Sequence, residues 1–216
     1  MEAQFWIDKW KEGQIGFHKD HFNETLIKHF PLMKAEQGQK VLVPLCGKSK
    51  DLAWLLEKGL IVKGVELYEN AVEAFFVENN FESFTKAQKG DFIDYSIPGL
   101  TISCGDFFKI DRSEQCDLIY DRASLVALPH EMRKDYAKVV RDVLKQGGKY
   151  LLIVYEYNQN EMAGPPFSIS EDEIKELYSK DFHIKLVESE APASEGPRLR
   201  QLTGFLQKVY LLEKTS

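Results

Sequence analysis

The sequence has few cysteines and lacks long apolar runs. Its three cysteines are an odd number without CxxC spacing, so the 216 residues predict neither a disulfide framework nor a metal site. The longest apolar runs, at residues 150–154 and 209–212, are too short to span a bilayer. Charged side chains interrupt the first 17 residues, which argues against a signal peptide. We therefore expect a cytoplasmic protein that keeps its cysteines in the core.

A strongly basic block is also missing. The formal net charge is -6, with 28 Lys and Arg against 34 Asp and Glu. Nucleic acids are normally bound by clustered Lys and Arg, so we expect no nucleic-acid partner, and nothing predicts a membrane partner. With 44% hydrophobic residues the composition is that of an ordinary globular protein. We expect a monomer that acts on a small molecule.

Short apolar segments alternate with helical patterns along the chain. Segments rich in β-branched and aromatic residues, typical of buried parallel strands, lie at 41–44, 61–65, 100–104, 117–120 and 149–154. Helical patterns lie at 49–58, 70–79 and 130–144, the last followed by Gly147 and Gly148 as a stop signal. This alternation predicts a doubly wound sheet in one α/β domain over residues 1–216.

The C-terminal part predicts an antiparallel end to this sheet. Ser170 and Glu173 form a capping box that opens a helix to about residue 180. Residues 182–187 and 205–212 then follow as two final strands. Between them, residues 189–200 have the composition of a loop. Residues 87–94 predict a small hairpin or an irregular insertion.

Ligands of doubly wound sheets bind beyond the carboxyl ends of the strands, so the residues after each strand are the site candidates. The first strand is followed by residues 44–49 (PLCGKS), which match neither GxGxxG nor GxxxxGK[ST]. This turn therefore does not predict a phosphate site. It can still bring the backbone close to a ligand beside a helix N-terminus. Alternatively, Gly47 serves only the connection from strand to helix.

Glu66 ends the second strand about 20 residues beyond that turn, the spacing at which an acidic side chain binds both hydroxyls of a ribose. Two carboxylate oxygens match a vicinal diol, although a solvated glutamate at a strand end is the alternative. The phosphate-binding glycines are missing, which favours adenosine without a pyrophosphate. The pattern therefore indicates S-adenosylmethionine rather than NAD.

Two further strand ends supply polar groups. The third ends in Gly105 and Asp106, where a backbone group and a carboxylate can meet an adenine edge. The fourth ends in Arg122, which places a fixed cation beside the pocket unless it pairs with Asp121 or Asp117.

Segments spread over most of the chain resemble the signature of the thiopurine S-methyltransferase family, in its bacterial form. They are residues 5–18 (FWIDKWKEGQIGFH), 44–48 (PLCGK), 64–66 (GVE), 121–127 (DRASLVA) and 164–167 (GPPF). The W-x3-W-x2-G-x3-FH opening together with PLCGK is the most specific part. The resemblance implies the class I S-adenosylmethionine-dependent methyltransferase fold, a Rossmann-like, seven-stranded, mostly parallel sheet with helices on both faces.

The resemblance also implies roles for particular residues. Residues 1–35 would form an N-terminal helical cover over the cofactor, referred to below as the N-terminal cover. The residues expected at S-adenosylmethionine are Trp10, Leu45, Glu66 and Arg122, with Trp6 and Phe17 in the cover and Gly105 and Asp106 near the adenine. An aromatic residue is usually a core residue. These aromatics, however, lie in a polar, glycine-containing segment, and aromatic faces attract a sulfonium.

The activity implied is S-methylation of small aromatic or heterocyclic thiols. Alignment of the reactants supplies most of the catalysis, a contribution of up to roughly 7–11 kcal/mol. A thiol is readily ionised, so we assign no general base, and Asp121 is as reasonable in a structural role. Candidate acceptor residues are Phe17, Arg122 and Phe167, the last in an apolar wall or an ordinary exposed turn. Arg198 and Arg200 are weaker candidates.

Other functions remain open at the level of sequence. The same fold and cofactor would serve methylation of selenium or tellurium compounds or of another small nucleophile. A non-catalytic nucleotide-binding module is a second class, but Glu66, Arg122 and the aromatic opening argue against it. A dehydrogenase is disfavoured because the glycine fingerprint is missing.

Overall fold

The computed structural model describes residues 3–81, 83–191 and 196–215, and within these ranges it has nine strands and seven helices. The strands are β1 Lys40–Val43, β2 Ile61–Glu66, β3 Thr85–Lys89, β4 Phe92–Ile97, β5 Leu100–Cys104, β6 Cys116–Arg122, β7 Leu144–Glu156, β8 Phe182–Glu190 and β9 Leu206–Lys214. The helices are α1 Ala3–Lys11, α2 Glu24–His29, α3 Asp51–Glu57, α4 Glu69–Glu78, α5 His130–Val143, α6 Glu171–Tyr178 and α7 Pro197–Arg200.

All strands join one sheet in the order β3-β4-β5-β2-β1-β6-β7-β9-β8. The central strands β5, β2, β1, β6 and β7 run parallel to one another. The last strand, β9, runs antiparallel to β7 and β8. This is the Rossmann-like α/β architecture predicted from the sequence, with its antiparallel end.

The number of strands differs from the predicted seven because a hairpin adds two strands to one edge. Strands β3 and β4 pair antiparallel, and β4 pairs antiparallel with β5. The hairpin covers residues 87–94, where the sequence predicted a hairpin or an irregular insertion. Every side chain of β3 (TKAQK) is exposed, so the strand has no apolar alternation that would reveal it.

Helix and strand boundaries agree with the sequence to within a few residues, with one exception. Gly147 and Gly148, predicted to stop the helix, lie inside β7. The helix α5 ends at Val143, and Leu144 already has extended backbone angles. The Ser170 N-cap is confirmed, because its side chain accepts the Glu173 N–H at 3.2 Å. The Glu173 carboxylate, predicted to complete a capping box, instead accepts Arg133 Nη1 at 2.7 Å.

Hydrophobic residues pack on both faces of the sheet. On the face covered by α5 and α6, Tyr136 and Val140 meet Leu152 of β7. On the opposite face, α3 and α4 pack Leu55 and Phe75 against β1 and β2. Cys46 and Cys116 are buried and Cys104 is half-buried, all as free thiols.

Metal binding and membrane insertion both depend on features that can be assessed in the described residues. No group of histidine, cysteine, aspartate and glutamate side chains among them could bind a metal ion. Nor does the described part of the chain include a helix of the length and hydrophobicity needed to cross a bilayer.

The close packing of β2 against α3 generates a prediction for Gly64. A Cβ atom at Gly64 would lie 2.8 Å from both Cys46 Sγ and Leu52 Cδ2. We expect Gly64→Ala to lower the free energy of unfolding by about 1–3 kcal/mol, because the core is overpacked. Urea denaturation measures the change. Gly196→Ala is the control, since a Cβ there meets no described atom within 4 Å. Equal stability of the two variants would contradict the prediction.

Candidate active site

The carboxyl ends of β1, β2, β5 and β6 lie together at one edge of the sheet. Because these strands are parallel neighbours, the residues that follow them meet there. Hydrogen bonds join successive strand ends: Cys46 N–H donates to the Val65 carbonyl at 2.9 Å, and Gly105 N–H donates to the Glu66 carbonyl at 2.8 Å. The edge thus collects the candidate residues that the sequence predicted at strand ends.

Glu66 is buried at this edge, with only 6% of its surface exposed. One carboxylate oxygen, Oε2, accepts the Gly47 N–H and the other, Oε1, accepts the Tyr68 N–H, each at 2.8 Å. Burial raises the pKa of Glu66 above its ordinary value, and the backbone N–H donors partly oppose this shift. The side chain is therefore not the solvated glutamate that was the alternative interpretation.

The Glu66 carboxylate keeps capacity for a ligand. A carboxylate offers about four lone-pair positions, two on each oxygen. Since each oxygen accepts one backbone N–H, each has a further position for a hydroxyl donor. Two adjacent hydroxyls of a sugar match this arrangement.

The turn after β1 contains backbone in the left-handed region. Leu45 has φ 44° and Gly47 has φ 54°. The Pro44 carbonyl accepts the Ser124 hydroxyl at 2.7 Å, which ties this turn to the turn after β6. Gly47 does more than connect a strand to a helix, because its N–H orients Glu66.

Aromatic rings of the N-terminal cover cluster over the β1 turn. The Phe17 ring makes edge contacts with Trp6 and Trp10, with centroid distances of 5.8 and 5.4 Å. Trp10 stacks on Tyr68 with centroids 6.2 Å apart. A Cβ atom on Gly47 would lie 3.1 Å from Cζ2 of Trp10. Trp10 therefore rests on the two residues whose N–H groups bind Glu66.

Helices α1 and α2 belong to the segment predicted as the N-terminal cover, and residues 1 and 2 lie outside the described residues. The rings of Trp6, Trp10 and Phe17 are half-buried rather than core residues. Sequence reasoning missed Tyr68. Its position two residues after Glu66, at the same strand end, was the available signal.

The end of β5 brings Gly105 and Asp106 to the same edge. The Phe92 ring lies directly against Gly105, where a Cβ would be 2.4 Å from Cδ1 of Phe92. Asp106 is half-buried, and its Oδ1 accepts the Phe108 N–H at 3.0 Å, which caps a short 3-10 turn. The contact between Gly105 N–H and the Glu66 carbonyl joins this end to the second strand.

At the end of β6, Arg122 is half-buried and its neighbour Asp121 is fully buried. Asp121 accepts the hydroxyls of Tyr136 and Tyr150 at 2.6 and 2.7 Å. The other suggested partner of Arg122, Asp117, forms an ion pair with Lys145 at 2.6 Å. Burial raises the pKa of Asp121.

Phe167 is tied to the turn after β6. Its N–H donates to the Val126 carbonyl at 2.6 Å, and the Tyr157 hydroxyl donates to the Pro166 carbonyl at 2.5 Å. The Arg133 guanidinium lies 5.7 Å from the Phe167 ring centroid. The segment is therefore a half-buried wall beside β6 and not an ordinary exposed turn.

Arg198 and Arg200 lie farther along the chain in the short helix α7, and both are exposed. The sequence predicted a loop over residues 189–200. Residues 192–195 of that segment lie outside the described residues, and residues up to Glu190 extend β8.

This edge of the sheet combines complementary groups. Glu66 offers buried acceptor positions, Arg122 offers a cation, and the rings of Trp6, Trp10 and Phe17 offer aromatic faces. Such a set can bind a nucleoside and a positively charged group while excluding water. It provides no metal-binding group among the described residues.

Comparison with known proteins connects this geometry to a family. A family model described as "Thiopurine S-methyltransferase (TPMT)" matches residues 1–215. The thiopurine S-methyltransferase of Aliivibrio fischeri (strain MJ11) is 44% identical over 214 residues, covering 99% of this chain and 100% of the relative. That of Pseudomonas aeruginosa (strain UCBPP-PA14) is 40% identical over 218 residues, covering 99% and 100%.

Solved structures show the same fold at low identity. TehB from Haemophilus influenzae superposes with a TM-score of 0.63 at 16% identity, covering 92% of this chain and 64% of that one. A Burkholderia thailandensis 1,6-didemethyltoxoflavin-N1-methyltransferase with bound S-adenosylhomocysteine gives a TM-score of 0.63 at 18% identity, covering 99% and 87%.

The contact between Gly47 and Trp10 generates a prediction for the N-terminal cover. Alanine is disfavoured at φ 54°, and its methyl group would press on the Trp10 ring. We expect Gly47→Ala to loosen the cover and to speed tryptic cleavage at Lys9 and Lys11 several-fold. Gly90→Ala is the control, because Gly90 has φ 60° but no described atom within 4 Å of its Cβ. Equal cleavage rates in both variants would contradict the prediction.

Proposed function

The chain belongs to the thiopurine S-methyltransferase family, and we propose that it binds its methyl donor where β1, β2, β5 and β6 end, beneath the N-terminal cover. It is an S-adenosylmethionine-dependent thiopurine S-methyltransferase with a small-molecule substrate, as predicted from the sequence. When bound, S-adenosylmethionine would supply a methyl group activated on a sulfonium. An acceptor thiolate would form the new S–C bond in line as the donor S–C bond breaks, and the donor would leave as the neutral thioether S-adenosylhomocysteine. The residue roles that follow are proposals.

Glu66 binds the ribose of the donor. The support is its buried carboxylate, fixed by the Gly47 and Tyr68 N–H groups, with an acceptor position left on each oxygen. Leu45 lies in the turn that brings backbone to the donor, and its left-handed φ of 44° gives that turn its direction. Glu66 and the turn after β1 together fit an adenosine group. They fit a pyrophosphate poorly, because residues 44–49 match neither glycine-rich phosphate-binding motif.

Gly105 and Asp106 form the adenine side of the donor site. Their support is position, since they follow β5 next to Glu66 and are joined to it by the bond between Gly105 N–H and the Glu66 carbonyl. The ring of Phe92 against Gly105 adds an apolar surface. Asp106 uses one oxygen to cap the next turn, which fixes its side chain.

Trp6, Trp10 and Phe17 cover the reacting groups. Aromatic faces stabilise a sulfonium, and closing the site strengthens that interaction by excluding water. The packing of Trp10 on Gly47 and Tyr68 supports this role, because it brings the cover to the residues that orient Glu66.

Phe17, Arg122 and Phe167 bind the acceptor, and Arg122 also faces the donor. Arg122 provides a planar cation for an anionic or aromatic thiol, and Phe167 provides a fixed apolar wall through its bond to Val126. No general base is assigned. Asp121 is engaged by buried tyrosine hydroxyls, and a thiol is readily ionised without one.

We further propose that the protein acts as a monomer in the cytoplasm, without nucleic acid. The free cysteines suit a reducing compartment, and the net charge of -6 disfavours phosphate backbones.

The activity is tested with labelled S-adenosylmethionine and a panel of acceptors: a thiopurine, thiophenol, phenol and selenite. We expect methyl transfer to the two thiols. Thiophenol and phenol form a matched pair that differs in the attacking atom. Because no base is built into the site, phenol, whose pKa is about 10, reacts far more slowly at pH 7. Faster methylation of phenol or selenite than of both thiols would contradict thiol specificity.

Glu66→Gln tests the ribose assignment. We expect the variant to bind S-adenosylhomocysteine more weakly by about 1–3 kcal/mol, because hydrogen bonds to a charged acceptor are lost. Isothermal titration calorimetry measures the affinity. Glu73→Gln is the control. Glu73 lies on α4, and its side chain forms an ion pair with Lys86 of β3. An unchanged affinity in Glu66→Gln would show that the ribose lies elsewhere.

The same pair of variants gives a pH test. Burial raises the pKa of Glu66 above its ordinary value, and the ribose hydroxyls bind the ionised form. As the pH falls through that raised pKa, the protonated carboxyl loses acceptor capacity and the Kd for S-adenosylhomocysteine rises. We expect wild type and Glu73→Gln to show this dependence and Glu66→Gln to lack it.

A further inference from the structure

Asp121 is a fully buried carboxylate that the reaction does not use. Its Oδ2 accepts the hydroxyls of Tyr136 on α5 and Tyr150 on β7, at 2.6 and 2.7 Å. Its Oδ1 accepts the backbone N–H groups of Ser124 and Leu125, each at 3.3 Å. Asp121, Ser124, Tyr136 and Tyr150 are referred to below as the Asp121 network.

The Asp121 network closes the turn that begins at Arg122. Ala123 follows Arg122 with φ 64°, a backbone region that alanine disfavours. The bonds from Oδ1 to the Ser124 and Leu125 N–H groups span this residue and maintain its conformation. The Asp121 carboxylate therefore stabilises the bent backbone that directly follows Arg122.

The same network reaches the turn after β1. The buried Ser124 hydroxyl donates to the Pro44 carbonyl at 2.7 Å. Leu45, the next residue, also has a left-handed φ, of 44°. One chain of hydrogen bonds thus joins α5, β7 and the β6 turn to the β1 turn.

The buried Asp121 network is poorly explained as a contribution to the stability of the fold alone. Burying a carboxylate is costly, and well-packed apolar residues often stabilise a core as well or better. A fully hydrogen-bonded buried network instead specifies one geometry. Here the network ends at the two turns that carry Arg122 and Leu45.

We propose that Asp121 and Ser124 are positioning residues for the methyl donor, which act through Arg122 and the Leu45 turn without touching the donor. The inference rests on the proposed donor site, since it assumes that Arg122 and Leu45 line it. Asp121, which lies next to Arg122 and does not act as a base, thereby has a positioning function.

The test uses variants that remove single hydroxyls and keep the rings. The double variant Tyr136→Phe/Tyr150→Phe removes both donors to Oδ2, and Ser124→Ala cuts the link to Pro44. Tyr178→Phe is the matched control, because this buried hydroxyl contacts the Tyr150 hydroxyl at 3.5 Å and is one step farther from Asp121 than the two tyrosines of the network. Calorimetry with S-adenosylhomocysteine gives Kd, and thermal melting gives stability.

We expect the double variant and Ser124→Ala each to raise the Kd about tenfold, because the lost hydrogen bonds leave the β1 and β6 turns less well oriented. Tyr178→Phe should leave the Kd unchanged, whatever it does to the melting temperature. In an Arg122→Ala background, the effect of the tyrosine double variant on Kd should largely disappear, because Arg122 is the group being positioned.

The outcomes separate this inference from the proposed site. If Arg122→Ala weakens binding but the tyrosine variant and Ser124→Ala do not, the positioning role is wrong and the donor site stands. Additive effects of the tyrosine and Arg122 changes, or an equal loss in Tyr178→Phe, would show general destabilisation and overturn the inference. An unchanged Kd in Arg122→Ala would overturn the assignment of Arg122 and the inference together.

Discussion

The pair of hydrogen bonds to the Glu66 carboxylate is the interaction on which the rest of the site depends. Through Gly47 N–H it fixes the turn after β1, and through Tyr68 N–H it fixes the start of the connection to α4. Trp10 packs on the same two residues. The acidic group, the turn beside it and the aromatic cover therefore form one structural unit, and a shift in any of them moves the others.

The ends of β2 and β6, the two strands that flank β1, carry buried carboxylates whose surroundings give them different properties. Glu66 accepts one N–H on each oxygen and keeps acceptor capacity toward the edge of the sheet. Asp121 accepts two tyrosine hydroxyls and two backbone N–H groups inside the core. The first can bind a ligand, whereas the second is satisfied by the protein itself. Both pKa values are raised by burial, so the hydrogen-bond partners, and not the charge state alone, separate their roles.

The sequence predicts those parts of the molecule whose signal is local. Strand β5 has the predicted bounds because its apolar residues stand between clear breaks, and Glu66 was found because a strand end and a residue spacing both mark it. The hairpin strand β3 was not separable from a loop, because all of its side chains are exposed. The partners of Asp121 lie 15 and 29 residues farther along the chain, so only the folded sheet brings them together. Tyr68 was missed for the same reason, since its significance depends on Trp10.

The N-terminal cover is stabilised by different contacts from those that stabilise the sheet. Helix α1 has nine residues, too few to be stable alone, and its tryptophans are half-buried against Phe17, Tyr68 and Gly47 instead of entering the core. The free energy needed to open a segment with few buried apolar contacts is a small fraction of the free energy of global unfolding. A cover of this kind can open while the hydrophobic core on both faces of the sheet stays folded. Because Trp10 rests on the residues that orient Glu66, closing of the cover and alignment of the Glu66 carboxylate are expected to occur together.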